Sequence, residues 1–113
     1  MKIEGKGKLL KIFLGESDKW HHEALYHAII KKIKENGLAG ATTIRGIEGF
    51  GANSRVHTKA IEVLSRDLPI VIEVVDNEQR INEIIKIIEP MITEGIIVVM
   101  QDVEIIKYTK SDK

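Results

Sequence analysis

Cysteine is absent from this chain of 113 residues, and this absence excludes several kinds of chemistry. The protein can form no disulfide, no thiolate zinc site and no cysteine nucleophile. A chain without cysteine is compatible with a reducing compartment, and we expect a cytoplasmic protein. The sequence also lacks an apolar run long enough to serve as a signal peptide or to span a bilayer, so we expect a protein that is not embedded in a membrane.

An excess of charge of either sign is also missing. Seventeen Lys and Arg residues balance seventeen Asp and Glu residues, and aromatic residues make up only 4% of the chain. Zero net charge argues against binding nucleic acid by bulk electrostatics. The scarcity of aromatics leaves few strand positions on which bases could stack. We therefore expect no nucleic-acid partner.

The residues that are present suffice for a folded domain. Hydrophobic residues make up 43% of the chain and charged residues 30%, which is typical of a soluble globular protein. The length fits a single domain over residues 1–113. A domain of this size buries only a moderate core, so oligomerisation would add to its stability.

Apolar runs and helical spacings predict the element order βαββαβ. The predicted strands are Lys8–Leu14, Ala41–Ile47, Pro69–Asp76 and Ile96–Tyr108. Right-handed crossovers then place both helices on one face of a four-stranded antiparallel sheet, with strands one and three in the centre. This is an α+β, ferredoxin-like fold. Because the third strand is apolar almost throughout, we expect both of its faces to be covered.

The helix boundaries are predicted from capping residues. The first helix is expected over residues 19–36, with its N-cap among residues 16–18 and Gly37 as the residue that ends it. The second helix is expected to begin at a cap formed by Asp76 and Asn77. Pro90 should kink or end it, since proline removes a backbone donor.

A glycine-rich segment follows the second predicted strand and opens a long polar loop, residues 49–67. It reads Gly-Ile-Glu-Gly-Phe-Gly over residues 46–51. It is not a P-loop, and the flanking strands exclude a dinucleotide fingerprint, because both motifs open a helix. Two interpretations stay open. The segment is a strand-end turn in which Phe50 closes the core edge, or its backbone N–H groups face the phosphate or ribose of a ligand.

No catalytic or metal-binding constellation is evident in the sequence. Three of the four histidines, His21, His22 and His27, lack the spacing of four that places two ligands on one helix face. The acidic residues show no general acid–base spacing, and no Ser-His-Asp arrangement is suggested. We expect neither enzymatic activity, nor a metal site, nor a required cofactor.

The element order, the position of the loop and the segment Gly46–Thr58 resemble the PII signalling proteins. Leu68–Val75 and Gly95–Lys107 are similar to the third and fourth strands of that family. The likeness spans nearly the whole chain and is closest to an uncharacterised branch known only as domains of unknown function. The resemblance implies a ferredoxin-like homotrimer that binds ADP or ATP in clefts between subunits. It also implies that the loop regulates a protein target, either an enzyme or a membrane transporter.

The resemblance further implies a set of nucleotide-binding residues. A threonine of the second strand would contact adenine, the loop base would contact phosphate or ribose, and basic residues would hold phosphate. The alternative for the basic residues is solvated surface charge, and His57 would contact phosphate or a partner. The candidates are Thr42, Thr43, Arg45, Gly49, Phe50, Gly51, Arg55, His57 and Lys107.

The chain departs from the PII pattern at several positions. The family's Gly-Asp-Gly-Lys loop before the last strand is reduced to Thr93-Glu94-Gly95, so its phosphate-binding lysine is missing. Ala52 stands where the family has an arginine, and no tyrosine lies in the loop, so control by uridylylation is not implied. These departures leave a second hypothesis open, a ligand-free structural or adaptor trimer without nucleotide sensing.

Overall fold

The structure of the protein is a computed structural model that describes residues 1–51 and 67–111. Within these ranges the elements follow one another in chain order. They are β1 (Lys2–Gly15), β2 (Lys19–Trp20), β3 (Glu23–Ala24), α1 (Leu25–Glu35), β4 (Thr42–Arg45), β5 (Pro69–Asp76), α2 (Glu78–Ile88) and β6 (Ile97–Thr109). A short 3-10 turn, Glu89–Met91, follows α2.

Four of these strands form one antiparallel sheet in the order β4-β5-β1-β6. The central strands are β1 and β5, the first and third of the predicted order. Alternate residues of these two strands pack with residues from both helices in one core. The α+β, ferredoxin-like fold predicted from the sequence is therefore confirmed.

The core lies between the sheet and the two helices and consists mainly of isoleucine and leucine. Each side chain of this kind that is fully buried contributes about 1.5–3 kcal/mol. The core residues of the sheet are Leu10, Ile12, Leu14, Ile70, Ile72 and Val74, and those of the helices are Leu25, Ala28, Ile29, Ile33, Ile81, Ile84 and Ile88.

The other face of the sheet, here called the open face, is also largely apolar. It carries the apolar residues Leu9, Phe13, Ile44, Val71, Val75, Ile97 and Val99 and the polar residues Lys11, Thr42, Glu73 and Gln101. Phe13, Val75 and Val99 are 38–41% exposed. The prediction that both faces of the third strand are covered is thus wrong for the single chain. Both helices lie on the same side of the sheet, so the opposite side of β5 stays accessible.

The start of α1 differs from the prediction. Residues 19–24, expected to be helical, form the β2–β3 hairpin instead. Its two turn residues, His21 and His22, have φ values of 47° and 70°, as a two-residue hairpin turn of type I′ requires. The helix N-cap is Ala24, which makes no side-chain capping bond. Asp18, predicted as part of the cap, instead accepts a hydrogen bond from the Gly15 N–H at 2.8 Å.

The other helix ends agree with the prediction. Gly37, with φ of 74°, follows the α1 C-cap, and its N–H donates to the Lys34 carbonyl at 3.1 Å. Asn77 caps α2 by accepting a hydrogen bond from the Arg80 N–H at 2.8 Å. The α-helix ends at Ile88, one residue before the 3-10 turn that contains proline.

The observed strand boundaries match the predicted ones for some strands and differ for others. β5 matches its prediction, and β6 is shifted by one residue. β4 ends at Arg45 rather than at residue 47. β1 begins at Lys2, well before the predicted Lys8, because its first half pairs with the last residues of β6.

A buried carboxylate connects the loop after α1 to the end of β5. Asp76 is completely buried, and its two oxygens accept hydrogen bonds from the Ala39 N–H at 2.8 Å and the Asn77 N–H at 2.7 Å. The Arg80 guanidinium lies 3.9 Å away. This residue therefore fixes the segment that leads into β4.

Replacing Asp76 by alanine should lower the free energy of unfolding. The two N–H groups would lose their acceptor, and each buried donor left unpaired costs about 1–3 kcal/mol. Urea denaturation at one fixed protein concentration, followed by circular dichroism, measures this loss. Glu104→Ala, which removes an exposed carboxylate from β6, should change stability by less than about 0.5 kcal/mol. Equal stability of the two variants would contradict the anchoring role.

Candidate functional site

A small cavity lies at the end of the sheet where residues 46–51 leave β4, and we call it the loop-base cavity. Its volume is about 130 Å³. Three of its wall residues, Phe13, Val71 and Ile97, also belong to the open face, so the cavity adjoins that face. The lining consists of Phe13, Leu14, Gly15, Asp18, Phe50, Gly51, Pro69, Ile70, Val71, Gly95 and Ile97.

Asp18 is the one charged residue among the described residues that line the cavity. No lysine or arginine from the described part of the chain lines it. A phosphate group placed there would meet a carboxylate and no cation from residues 1–51 and 67–111. The cavity of a single chain is therefore better suited to an uncharged group than to a phosphate.

The glycines of the segment lie close to Pro69. A Cβ atom on Gly46 would lie 2.7 Å from the Pro69 Cγ, and one on Gly49 would lie 3.1 Å from the same atom. The Gly46 N–H also donates to the Pro69 carbonyl at 2.7 Å. The close backbone approach that these glycines allow is thus to another part of the same chain.

Phe50 lies beside the cavity with 77% of its surface exposed. The interpretation in which this ring closes the core edge is therefore wrong for the single chain. An exposed aromatic ring next to an apolar cavity is instead available to contact a ligand or another subunit.

The two candidate threonines lie on β4 and face opposite sides of the sheet. Thr42 pairs with Glu73 on the open face, while Thr43 pairs with Ile72 on the helix face. Thr42 lines a different cavity, of about 430 Å³, together with Tyr108. Neither threonine lines the loop-base cavity.

The candidate basic residues are placed apart. Arg45 forms an ion pair with the Glu16 carboxylate, so its charge is already balanced within the chain. Lys107 is exposed on β6, ten residues from Ile97, which is about 30 Å along a strand. Arg55 and His57 lie outside the described residues. A single chain thus brings Phe50 and Gly51 to the cavity with Gly49 next to them, but not Thr42, Thr43, Arg45 or Lys107.

A polar groove at the other end of the sheet holds another lysine. Lys8 hydrogen-bonds Asp102 and lies 3.4 Å from the Glu78 carboxylate. The hydrogen bond to Asp102 raises the pKa of Lys8, and the same bond lowers the pKa of Asp102. Because this lysine already has two carboxylate partners, it is poorly placed to hold a phosphate.

Residues 1–51 and 67–111 contain no group of three His, Asp or Glu side chains that could hold a metal ion. In the same residues no helix is both long enough and apolar enough to cross a membrane.

Of the described lining residues, sequence reasoning named only Phe50 and Gly51 as candidates, and Asp18, Pro69 and Gly95 are among those that it missed. Asp18 was assigned to a helix cap, and Pro69 to the start of a strand. The sequence offered a weak signal for Asp18, since it follows Gly15 at the end of a buried strand, where loop residues commonly bind ligands.

Comparison with known proteins identifies a family and a set of relatives. Residues 7–105 match the model of the DUF190 family, which is described as an uncharacterised ACR. A UPF0166 protein of Methanocaldococcus jannaschii is 41% identical over 95 residues, which cover 83% of this chain and 87% of that protein. A UPF0166 protein of Aquifex aeolicus is 32% identical over 101 residues, with coverages of 89% and 94%.

Several solved structures with the same fold are PII-like proteins. A candidate PII-like signalling protein of Thermus thermophilus superposes with a TM-score of 0.64 at 16% identity, covering 90% of this chain and 91% of that one. CPII of Thiomonas intermedia, bound to ADP and bicarbonate, gives a TM-score of 0.64 at 18% identity, covering 88% of each chain. At these identities the likeness shows the fold.

Replacing Gly46 by alanine should destabilise the protein, because the new methyl group would overlap the Pro69 ring. Overpacking of this kind costs about 1–3 kcal/mol. Gly40→Ala is the matched control, since a Cβ there meets nothing within 4 Å. Thermal unfolding of both variants, compared with the original chain, tests the expectation. A Gly46→Ala variant as stable as Gly40→Ala would show that the contact with Pro69 is not tight.

Proposed function

The chain belongs to the DUF190 family, and on that premise we propose that it is a cytoplasmic PII-like signal-transduction protein. In this proposal a homotrimer binds ADP or ATP in a cleft between subunits. The bound nucleotide changes the state of the 49–67 loop and thereby regulates a protein target, an enzyme or a membrane transporter. The fold, which is that of PII-like proteins, supports this assignment.

The observation that carries the proposal is that the described residues form only a small cavity at the base of the loop. Its volume of about 130 Å³ is well below the roughly 300–1,000 Å³ of typical ligand pockets. It holds a ring or a base but not a whole nucleotide. The cavity lies at the margin of the open face, so a second subunit packed on that face would enlarge it.

The open face supports assembly into a homotrimer. Apolar side chains dominate it, as in the interfaces of permanent homo-oligomers. Its central charges, Lys11 and Glu73, lie 3.5 Å apart and balance each other. Contiguous exposed apolar surface of this kind marks an interaction site in a soluble protein. In the proposed assembly a neighbouring copy supplies the cation that the cavity lacks, and Lys107 is the candidate for it.

The nucleotide is proposed by analogy with a structural neighbour. CPII has been solved with ADP and bicarbonate bound. For the present chain, an adenine nucleotide would act on the loop only if its affinity differs between two loop states. Typical coupling free energies between two such sites are about 1–3 kcal/mol.

The second candidate function is an adaptor trimer that binds no nucleotide. It is favoured by the ion pair between Arg45 and Glu16, which leaves that arginine without free charge, and by the absence of Lys and Arg from the described lining of the cavity. The two candidates share the assembly and differ in ligand binding.

Titration calorimetry with ADP, ATP and AMP distinguishes the nucleotide-binding signalling trimer from the adaptor trimer. We expect ADP or ATP to bind and Gly51→Val to abolish binding, because a valine side chain would fill part of the cavity. Ile47→Val, a change at a residue that is 91% exposed in the same segment, should leave the affinity unchanged. No heat with any of the three nucleotides at millimolar concentration would favour the adaptor.

A charge on the open face should disrupt the assembly. Val99→Lys places an ammonium group in the proposed interface, where an unpaired buried charge is costly. Ile87→Lys is the matched control, because the two residues are 40% and 39% exposed and Ile87 lies on α2. Light scattering should find monomers for Val99→Lys and trimers for Ile87→Lys. If the original chain is itself monomeric at high concentration, the trimer proposal is wrong.

A further inference from the structure

The loop-base cavity combines apolar walls with one fixed acceptor. Leu14 and Ile70 are buried at its base, and the exposed ring of Phe50 lies beside it. Flat aromatic groups such as nucleobases fit between walls of this kind, because both of their faces are apolar and stack on aromatic rings. The volume of about 130 Å³ also matches a ring system rather than a complete nucleotide.

Asp18 is held in place by three hydrogen bonds. Its Oδ2 accepts from the Gly15 N–H at 2.8 Å, its carbonyl accepts from the Leu25 N–H at 2.8 Å, and its own N–H donates to the Gly15 carbonyl at 3.2 Å. The second carboxylate oxygen, Oδ1, has no hydrogen-bond partner among residues 1–51 and 67–111. The cavity wall thus presents a fixed carboxylate with one oxygen that the described residues leave without a donor.

We propose that Asp18 selects adenine over bases with a carbonyl at the same ring position, and this inference rests on the proposed nucleotide binding. An ionised carboxylate only accepts hydrogen bonds. Adenine carries an amino group at C6 that can donate to Oδ1, whereas hypoxanthine and guanine carry an acceptor oxygen there. The oxygen would face the carboxylate without a proton between them, and a partly buried acceptor left unpaired is disfavoured.

The same geometry indicates which end of the nucleotide lies in the cavity and which end lies outside it. The base lies in the loop-base cavity, where the Asp18 carboxylate can accept a hydrogen bond from its amino group. The phosphates point away from Asp18, toward the open face and the neighbouring subunit. Lys107 of a neighbouring subunit, a basic candidate that lies outside the cavity, then belongs to the phosphate end of the site, and Asp18 contacts the base.

Calorimetry on the unmodified chain gives the first test. ADP should bind about 10- to 100-fold more tightly than IDP, as expected for one hydrogen bond to a charged group. N6,N6-dimethyl-ADP, which keeps the ring but has no amino hydrogen, should lose affinity to a similar extent. This measurement needs no variant and does not depend on how any variant folds.

Asp18→Asn gives the second test. The amide oxygen can still accept from Gly15, while its NH2 group now donates toward the base. The preference for ADP over IDP should therefore fall to near parity or reverse. Asp67→Asn is the matched control, because Asp67 binds the Ser17 Oγ at 2.7 Å in the same turn but does not line the cavity. Its ratio of ADP to IDP affinity should stay unchanged.

Three results would overturn the role of Asp18 while the proposed function stands. They are equal binding of ADP and IDP by the original chain, an unchanged preference in Asp18→Asn, and an equal loss of preference in Asp67→Asn. Binding of none of the nucleotides by the original chain would overturn both proposals together.

Discussion

Both helices pack on the same face of the sheet, because the two crossovers, β1 to β4 and β5 to β6, have the same hand. One apolar core forms between the sheet and the helices, and the other apolar face is left without a cover in the single chain. The open face and the position of the loop-base cavity at its end follow from this arrangement, and so does the proposed contact with a second subunit. A third layer in the same chain would remove the reason for assembly.

Several charges among the described residues are balanced by a neighbouring residue of opposite charge. Arg45 is paired with Glu16, Lys11 with Glu73, and Lys8 with Asp102 and Glu78. Each pair lowers the charge that is available to an anionic ligand. Within residues 1–51 and 67–111, part of the balanced charge of the sequence thus takes the form of neighbouring opposite charges. In the proposed trimer, a phosphate site at the loop-base cavity would draw on a cation from a second subunit.

Much of the fold was predictable because it depends on local patterns. The continuous apolar run of β5 and the helical spacing of Ile81, Ile84 and Ile88 are visible within a few residues. The Asn77 cap and the terminating Gly37 also act on their immediate neighbours. The hairpin of residues 19–24 was missed, because its turn depends on two adjacent histidines in a backbone conformation that such residues seldom adopt.

The candidate site shows the limit of sequence reasoning more clearly. The sequence by itself determined the element types, the order βαββαβ, and the presence of a glycine-rich segment with a single aromatic at the base of the loop. Only the tertiary structure decided that Gly46 and Gly49 lie against Pro69, that Arg45 is bound to Glu16, and that Asp18 shares a cavity with Phe50. These contacts join residues about 20 or more positions apart in the chain. They arise because strand pairing and the crossover connections bring distant parts of the chain together. The hydrophobic periodicity around each residue reports only local structure and does not show such contacts.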